Sequence, residues 1–242
     1  MNGAEENTAA LIARLEDSEK AKIRAAVDAL IDLSSSIPSL RGSLEESLND
    51  GQLKNRWAVG YVLGHLPQPS GAAILALLGG LDHIEPDIRW AIALLLVRLA
   101  RSDGSLISSL LTLCASGTVN QRRMAAYCIR DLQLTDDASM AALSAAARDS
   151  DPTVRVAALT SLRRRSDAGA AARDLLLDRF VNDGDGRVRN AAAITMAQMG
   201  APGEAFVRAL EQSAKSGDAH ARKAALAALE LLQKKRPAPD GS

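Results

Sequence analysis

The sequence of 242 residues predicts an all-α protein built from about seven two-helix units. Three observations carry that expectation. Apolar residues make up 47% of the chain but aromatics only 2%, so its core is to be assembled from Ala, Leu, Val and Ile, which suits closely packed helices. An acid, an Arg and an Ala-rich apolar run recur at a period near 33 residues. No stretch alternates apolar and polar residues as a half-buried strand would.

The recurrence is plainest in "EPDIRWAIALLL" (85–96), "DPTVRVAALTSL" (151–162), "DGRVRNAAAITM" (185–196) and "DAHARKAALAAL" (218–229). Aligning them on the Arg gives a series of Arg24, Arg56, Arg89, Arg123, Arg155, Arg189 and Arg222, with intervals of 32 to 34 residues. An unbroken series with so little jitter marks a repeat architecture. Before most of these helices lies a second apolar-periodic segment: 8–17, 70–81, 105–115, 138–149, 170–181 and 204–215, with a shorter one at 43–48. Gly, Pro, Asp and Ser fall between them, as in "PQPSG" and "NDGDG". The repeats predict one domain over residues 1–235, followed by a disordered polar tail at 236–242.

The acid and the Arg have a structural role at this spacing. Asp151 suits an N-cap and Pro152 the first helical position. Glu85/Arg89, Asp151/Arg155, Asp185/Arg189 and Asp218/Arg222 are four residues apart, which predicts ion pairs along each helix, each worth about 0.2–0.5 kcal/mol when exposed. Stacked units would also let an Arg reach its neighbour's acid. A pair copied into most units is scaffolding, because catalysis needs a unique constellation.

"DPTVRVAALTSL" and its copies resemble the short HEAT-type repeats of phycobilisome-lyase-like proteins, over almost the whole chain. The resemblance implies a right-handed α-solenoid whose helix pairs wind into a superhelix with a concave inner face. It is specific for fold and not for function, since that family holds adaptors, bilin lyases, a metal-dependent hydroxylase and DNA-repair glycosylases. The hydroxylase's metal ligands are His-Glu dipeptides, and none of His65, His83 and His220 precedes a Glu.

In such a solenoid the residues one, five and nine places after each repeat Arg point to the concave face. They are Trp57, Tyr61 and His65, then Trp90, Leu94 and Arg98, then Met124 and Cys128. Both tryptophans of an aromatic-poor chain fall at the same position of successive repeats, so these eight residues are the expected partner-binding strip. Arg163, Arg164, Arg165, Arg187 and Lys223 predict a basic end. Packing of the strip as additional core is the competing reading of the same residues.

Lys plus Arg and Asp plus Glu each number 29, so overall charge gives no warrant for a nucleic-acid or membrane partner. Two cysteines make neither a disulfide framework nor a metal site. The N-terminus lacks a basic region followed by an apolar stretch, and the longest apolar run, 91–97, is too short to span a bilayer. A cytoplasmic monomer without cofactor or metal is expected. Neither a phosphate-binding loop, nor a Ser/His/Asp set, nor a metal-ligand cluster is present in the sequence. The sequence therefore predicts a non-enzymatic scaffold that binds a protein or peptide on the concave face. Two alternatives remain at this point: a HEAT-like glycosylase acting on nucleic acid, against which no Asp or Glu occupies the strip positions, and a bilin lyase or its accessory protein.

Overall fold

A computed structural model describes residues 3–50, 53–162, 170–199, 203–215 and 219–235. Arg163, Arg164, Arg165, Asp218 and the 236–242 tail lie outside the described residues. The described residues form fourteen helices and no strand. They cluster into two compact units, Met1–Leu106 and Ile107–Ser242.

The first unit holds α1 (Gly3–Arg14), α2 (Lys20–Leu33), α3 (Leu40–Asn49), α4 (Arg56–His65), α5 (Gly71–Gly80) and α6 (Pro86–Ser102). Helices pack as successive pairs, α1 on α2, α3 on α4 and α5 on α6, while α2, α4 and α6 lie side by side in a row. Leu15, Ile23, Leu30, Leu40, Leu44, Leu48 and Leu63 fill the core between the rows. Small residues set the spacing. Gly60 and Gly64 of α4 face α5 so closely that a Cβ on Gly60 would lie 2.8 Å from Ala76 Cβ and 3.1 Å from the Ala73 carbonyl.

The second unit takes α7 (Ser105–Ser116), which begins at the junction, then α8 (Val119–Leu132), α9 (Asp137–Ala146), α10 (Pro152–Ser161), α11 (Ala170–Asn182), α12 (Gly186–Met199), α13 (Glu204–Lys215) and α14 (Ala219–Lys235). Here α8, α10, α12 and α14 form the row, with α9, α11 and α13 each against the following helix. Both phenylalanines sit in this core, Phe180 against Phe206 edge to face at 5.9 Å. The pairing of helices and the stacking of every second one within each unit are those of an α-solenoid, as the resemblance implies. The preceding segments expected at 105–115, 170–181 and 204–215 match their helices to within a residue.

Caps explain where helices begin. Asp151 accepts the Thr153 amide at 2.7 Å with Pro152 in the first turn, Asp136 accepts the Ser139 amide at 2.9 Å, and Thr118 and Gln121 close a reciprocal capping box on α8. This corrects the expected ion pairs. Asp151 is an N-cap in extended conformation (φ −87°, ψ 125°), so its carboxylate turns to the first-turn amide and the Thr153 hydroxyl instead of lying along the helix towards Arg155. Asp185 likewise takes the amide and guanidinium of Arg187 instead of Arg189, and Glu85 accepts from Lys20 at 3.0 Å.

The repeat Arg does something else. Its Nη1 donates to carbonyls five and six residues back, stapling the loop that precedes its own helix: Arg89 to His83 and Ile84, Arg155 to Asp149 and Ser150, Arg189 to Asp183 and Gly184. In two repeats the rest of the fork reaches the next one. Arg155 grips Asp183 through Nε (2.9 Å) and Nη2 (2.8 Å), and Arg122 grips Asp149 in the same two-pronged way at 2.7 and 2.8 Å. Asp149 and Asp183 also accept the amide two residues on, at 2.8 and 3.0 Å. Each carboxylate therefore ties its own loop and the preceding repeat together.

The Asp183 side chain is only 1% exposed and that of Arg155 14%. Burial alone would raise the Asp183 carboxyl. Hydrogen bonds from Arg155 and the Asp185 amide, with the charges of Arg155 and Arg179, outweigh burial and hold it below the ordinary carboxylate range. A depressed folded-state value stabilises fully above the unfolded value of about 4, and the contribution is lost as pH falls through the folded value.

Two predictions follow from this packing. Gly60→Ala is expected to destabilise by about 1–3 kcal/mol through overpacking, whereas Gly42→Ala on α3, where a Cβ meets nothing within 4 Å, stabilises by roughly 0.5–1 kcal/mol; urea unfolding of the two variants checks the opposite signs. Asp183→Asn breaks a buried pair and costs roughly 3 kcal/mol at pH 7. Unfolding measured across pH should show the gap to wild type narrowing as pH drops below about 4.

Candidate functional site

Trp57, Tyr61 and His65 run along one face of α4, and Trp90, Leu94 and Arg98 along the matching face of α6, its neighbour in the row. Their five- and nine-residue offsets from Arg56 and Arg89 keep them away from the packed side, which Val59, Val62, Leu63, Ile92, Leu95 and Leu96 occupy. Trp90 is 39% exposed and Leu94 61%; Arg98 is exposed, and Trp57, Tyr61 and His65 are half-buried.

Local contacts fix this face. His65 Nδ1 lies 2.9 Å from the Tyr61 carbonyl, which only accepts, so that nitrogen carries the proton and Nε2 is left pointing elsewhere. The two rings stack at a tilt with centroids 4.7 Å apart. Burial pushes the Tyr61 phenol up, against the opposing charge of Arg98. Arg98 donates to the Gly64 carbonyl at 3.2 Å, which ties the end of α4 to α6.

A cleft lies at each end of α4. At its C-terminal end a cleft of about 620 Å³ is lined by His65, Pro67, Ile74, Arg98, Leu99 and Asp103, among others. Its rim holds Gln68 in the left-handed region (φ 52°) between two prolines, and Arg41 clasps the Pro67 and Gln68 carbonyls. At the N-terminal end a second cleft of about 400 Å³ takes Trp57, whose ring meets His83 edge-on at 5.4 Å. Such a surface offers apolar anchors, one fixed guanidinium and hydrogen-bonding rings. Among the described residues no group of three His, Cys, Asp or Glu side chains converges to hold a metal ion, and no helix is long and apolar enough to cross a membrane.

Met124 and Cys128 do not belong to this kind of face. They are 1% and 0% exposed, buried on α8. The reason is a slip of one residue in the repeat frame. Arg122, not Arg123, staples its loop (to the Gly117 carbonyl at 2.8 Å) and grips Asp149, so Arg122 is the equivalent of Arg89 and Arg155. The residues one, five and nine places on are then Arg123, Tyr127 and Asp131, all half-buried. Tyr127 carries the Arg130 guanidinium over its ring at 4.8 Å, and Arg130 also grips Asp131 at 2.8 Å. The corrected frame thus puts one acid, already paired, at a strip position. Cys128 is inert core: burial pushes its thiol up to about 12, and that of Cys114 to about 11.

Of the expected basic end, Arg187 is exposed but held by Asp185 at 2.7 Å, and Lys223 is exposed. Of the exposed apolar residues outside the expected strip, the two most exposed are Leu75 on α5 (70%) and Ile84 in the loop before α6 (84%). Neither stands at a strip position, and no periodic signal distinguishes them from core leucines.

Human deoxyhypusine hydroxylase is 16% identical over 96% of this chain and 97% of its own, with a TM-score of 0.45. A designed armadillo repeat protein is 17% identical over 92% and 98% (TM-score 0.44), and the complex of CpcE and CpcF of phycocyanin lyase from Nostoc sp. PCC7120 is 17% identical over 94% of each chain (TM-score 0.38). No curated protein matches the sequence. The family described as HEAT repeats matches residues 107–197 and again 140–230, together just over half of the chain. With its paired helices and arginine-stapled loops, this chain belongs to the HEAT-repeat family.

Proposed function

We propose that this protein is a non-catalytic scaffold that holds a protein or peptide against the α4–α6 face of its first unit. One observation carries the reading. Trp90 and Leu94, one turn apart on α6, keep 39% and 61% of their surface in solvent, beside half-buried Trp57 and Tyr61, in a chain with only six aromatic residues of the Phe, Trp and Tyr types. Trp, Tyr and Arg are the residues that dominate binding energy where they cluster, and a fixed Arg98 at one end gives such a contact direction. The neighbouring 620 Å³ cleft accepts a side chain from the partner, with apolar walls and Arg98 and His65 at its edge.

The binding face rests on rigid, buried helices, so the variants that test it leave the fold alone. Trp90→Ser combined with Leu94→Ser removes exposed side chains only and should change the urea midpoint little. A partner retained by wild type from the source cell's lysate, identified, purified and measured with both forms, should bind the variant at least tenfold more weakly. Equal binding by the variant would move the contact off this face. Acrylamide should quench Trp90 emission efficiently in the free protein and poorly in the complex.

A further inference from the structure

The repeat arginines allow an internal comparison. Arg122 grips Asp149 and Arg155 grips Asp183, in each case the residue six places before the next staple Arg. In the first unit the corresponding arginine is Arg56, which donates to the Asp50 carbonyl six residues back as the others do. The residue six places before Arg89, where Asp149 and Asp183 stand in their repeats, is His83.

His83 performs half of the aspartate's task. Its Nδ1 accepts the amide of Glu85, two residues on, at 3.0 Å, as Asp149 and Asp183 accept theirs at 2.8 and 3.0 Å. An Nδ1 that accepts leaves the proton on Nε2, and burial favours this neutral ring. What His83 lacks is the second function, a negative oxygen for the arginine of the preceding repeat. No acidic side chain pairs with Arg56 among the described residues. Arg56 and His83, which hold the sequence positions of the gripping arginine and the bridging acid of the other repeats, line the cleft of about 400 Å³, together with Lys54, Trp57, Leu75 and Gly79. Asp82 also lines it, so the cations Lys54 and Arg56 exceed the acids by one.

From this juxtaposition we infer that the cleft binds a small organic monocarboxylate with an apolar body, whose carboxylate takes the place that Asp149 and Asp183 fill in the other repeats. The carboxylate accepts from Arg56, Lys54 and His83 Nε2–H; the apolar body lies against Trp57 and Leu75. A single net positive charge suits a monoanion, and the volume is at the small end for ligand sites, which lie at roughly 300–1,000 Å³. This site goes beyond the proposed scaffold function and uses neither Trp90 nor Leu94, so either can fail alone.

The test uses Trp90→Phe protein, in which Trp57 is the one remaining tryptophan, titrated with 3-phenylpropionate and with its neutral isostere 3-phenylpropionamide. The carboxylate should give a saturating change in Trp57 emission, and the amide should bind at least tenfold more weakly. Two further variants, each sufficient alone, close the cleft without disturbing the core. Gly79→Leu places a side chain where a Cβ meets nothing within 4 Å. His83→Asp supplies the carboxylate from within, keeping an acceptor for the Glu85 amide. Each folded variant should lose the response to 3-phenylpropionate. A response that fails to saturate, equal binding of acid and amide, or a response unchanged in either folded variant overturns the inference.

Discussion

A two-way arginine is the interaction on which the second unit of this structure depends. Arg155 uses one nitrogen to staple the loop before its own helix and two to hold a carboxylate in the next repeat. The guanidinium suits this task because it offers five donors in a rigid plane, and neither a lysine nor a hydrogen-bonding amide could serve loop carbonyls and carboxylate together. The loop is otherwise a liability in such a fold. Its carbonyls are withdrawn from helical pairing yet partly screened from water, and the arginine supplies the donors they need. Acid and loop are then positioned by each other: Asp183 accepts from Asp185 two residues on, which itself opens α12.

Against that frame the apolar content works by smallness. With only two phenylalanines, both in the second unit, the first unit gains its contacts by bringing backbones together. Gly60 and Gly64 let α4 approach Ala73, Ala76 and Leu77 to within a methyl's width. Dense packing of this kind leaves few positions where a large side chain fits inside. Trp57 and Trp90 consequently stand at its margin, one half-buried beside His83 and the other open to solvent. The same economy that builds the core displaces its bulkiest residues towards a surface.

The fold was legible because its period is written in charged and small residues that repeat at near-fixed intervals. The helix start at Pro152 followed from cap chemistry that acts within a few residues. What the sequence obscured is longer in range. "QRRM" offers two adjacent arginines, and only the contact with Asp149 reveals that Arg122 keeps the frame; the slip carried Met124 and Cys128 to the wrong face. The acid that matters is also ambiguous. "DSDPTVR" and "DGDGRVR" each carry two aspartates, of which the second caps its helix and the first bridges repeats, and nothing local separates the two roles. The substitution in "HIEPDIR" becomes visible once the first position is known to be the bridging one.

The bridging aspartate has a consequence for how this chain can be cut. Asp149 gives its carbonyl to Arg155 and its carboxylate to Arg122, so the loop that bears it belongs to two repeats at once. A module boundary drawn through such a loop severs one of these attachments, whereas one drawn between a row helix and the helix that follows it leaves the staples whole but separates Arg122 from Asp149 or Arg155 from Asp183. Between Arg122 and Arg189 no cut leaves every attachment whole. A shortened or spliced version would need a new acid, placed 27 or 28 residues after its last orphaned arginine, to end the series cleanly.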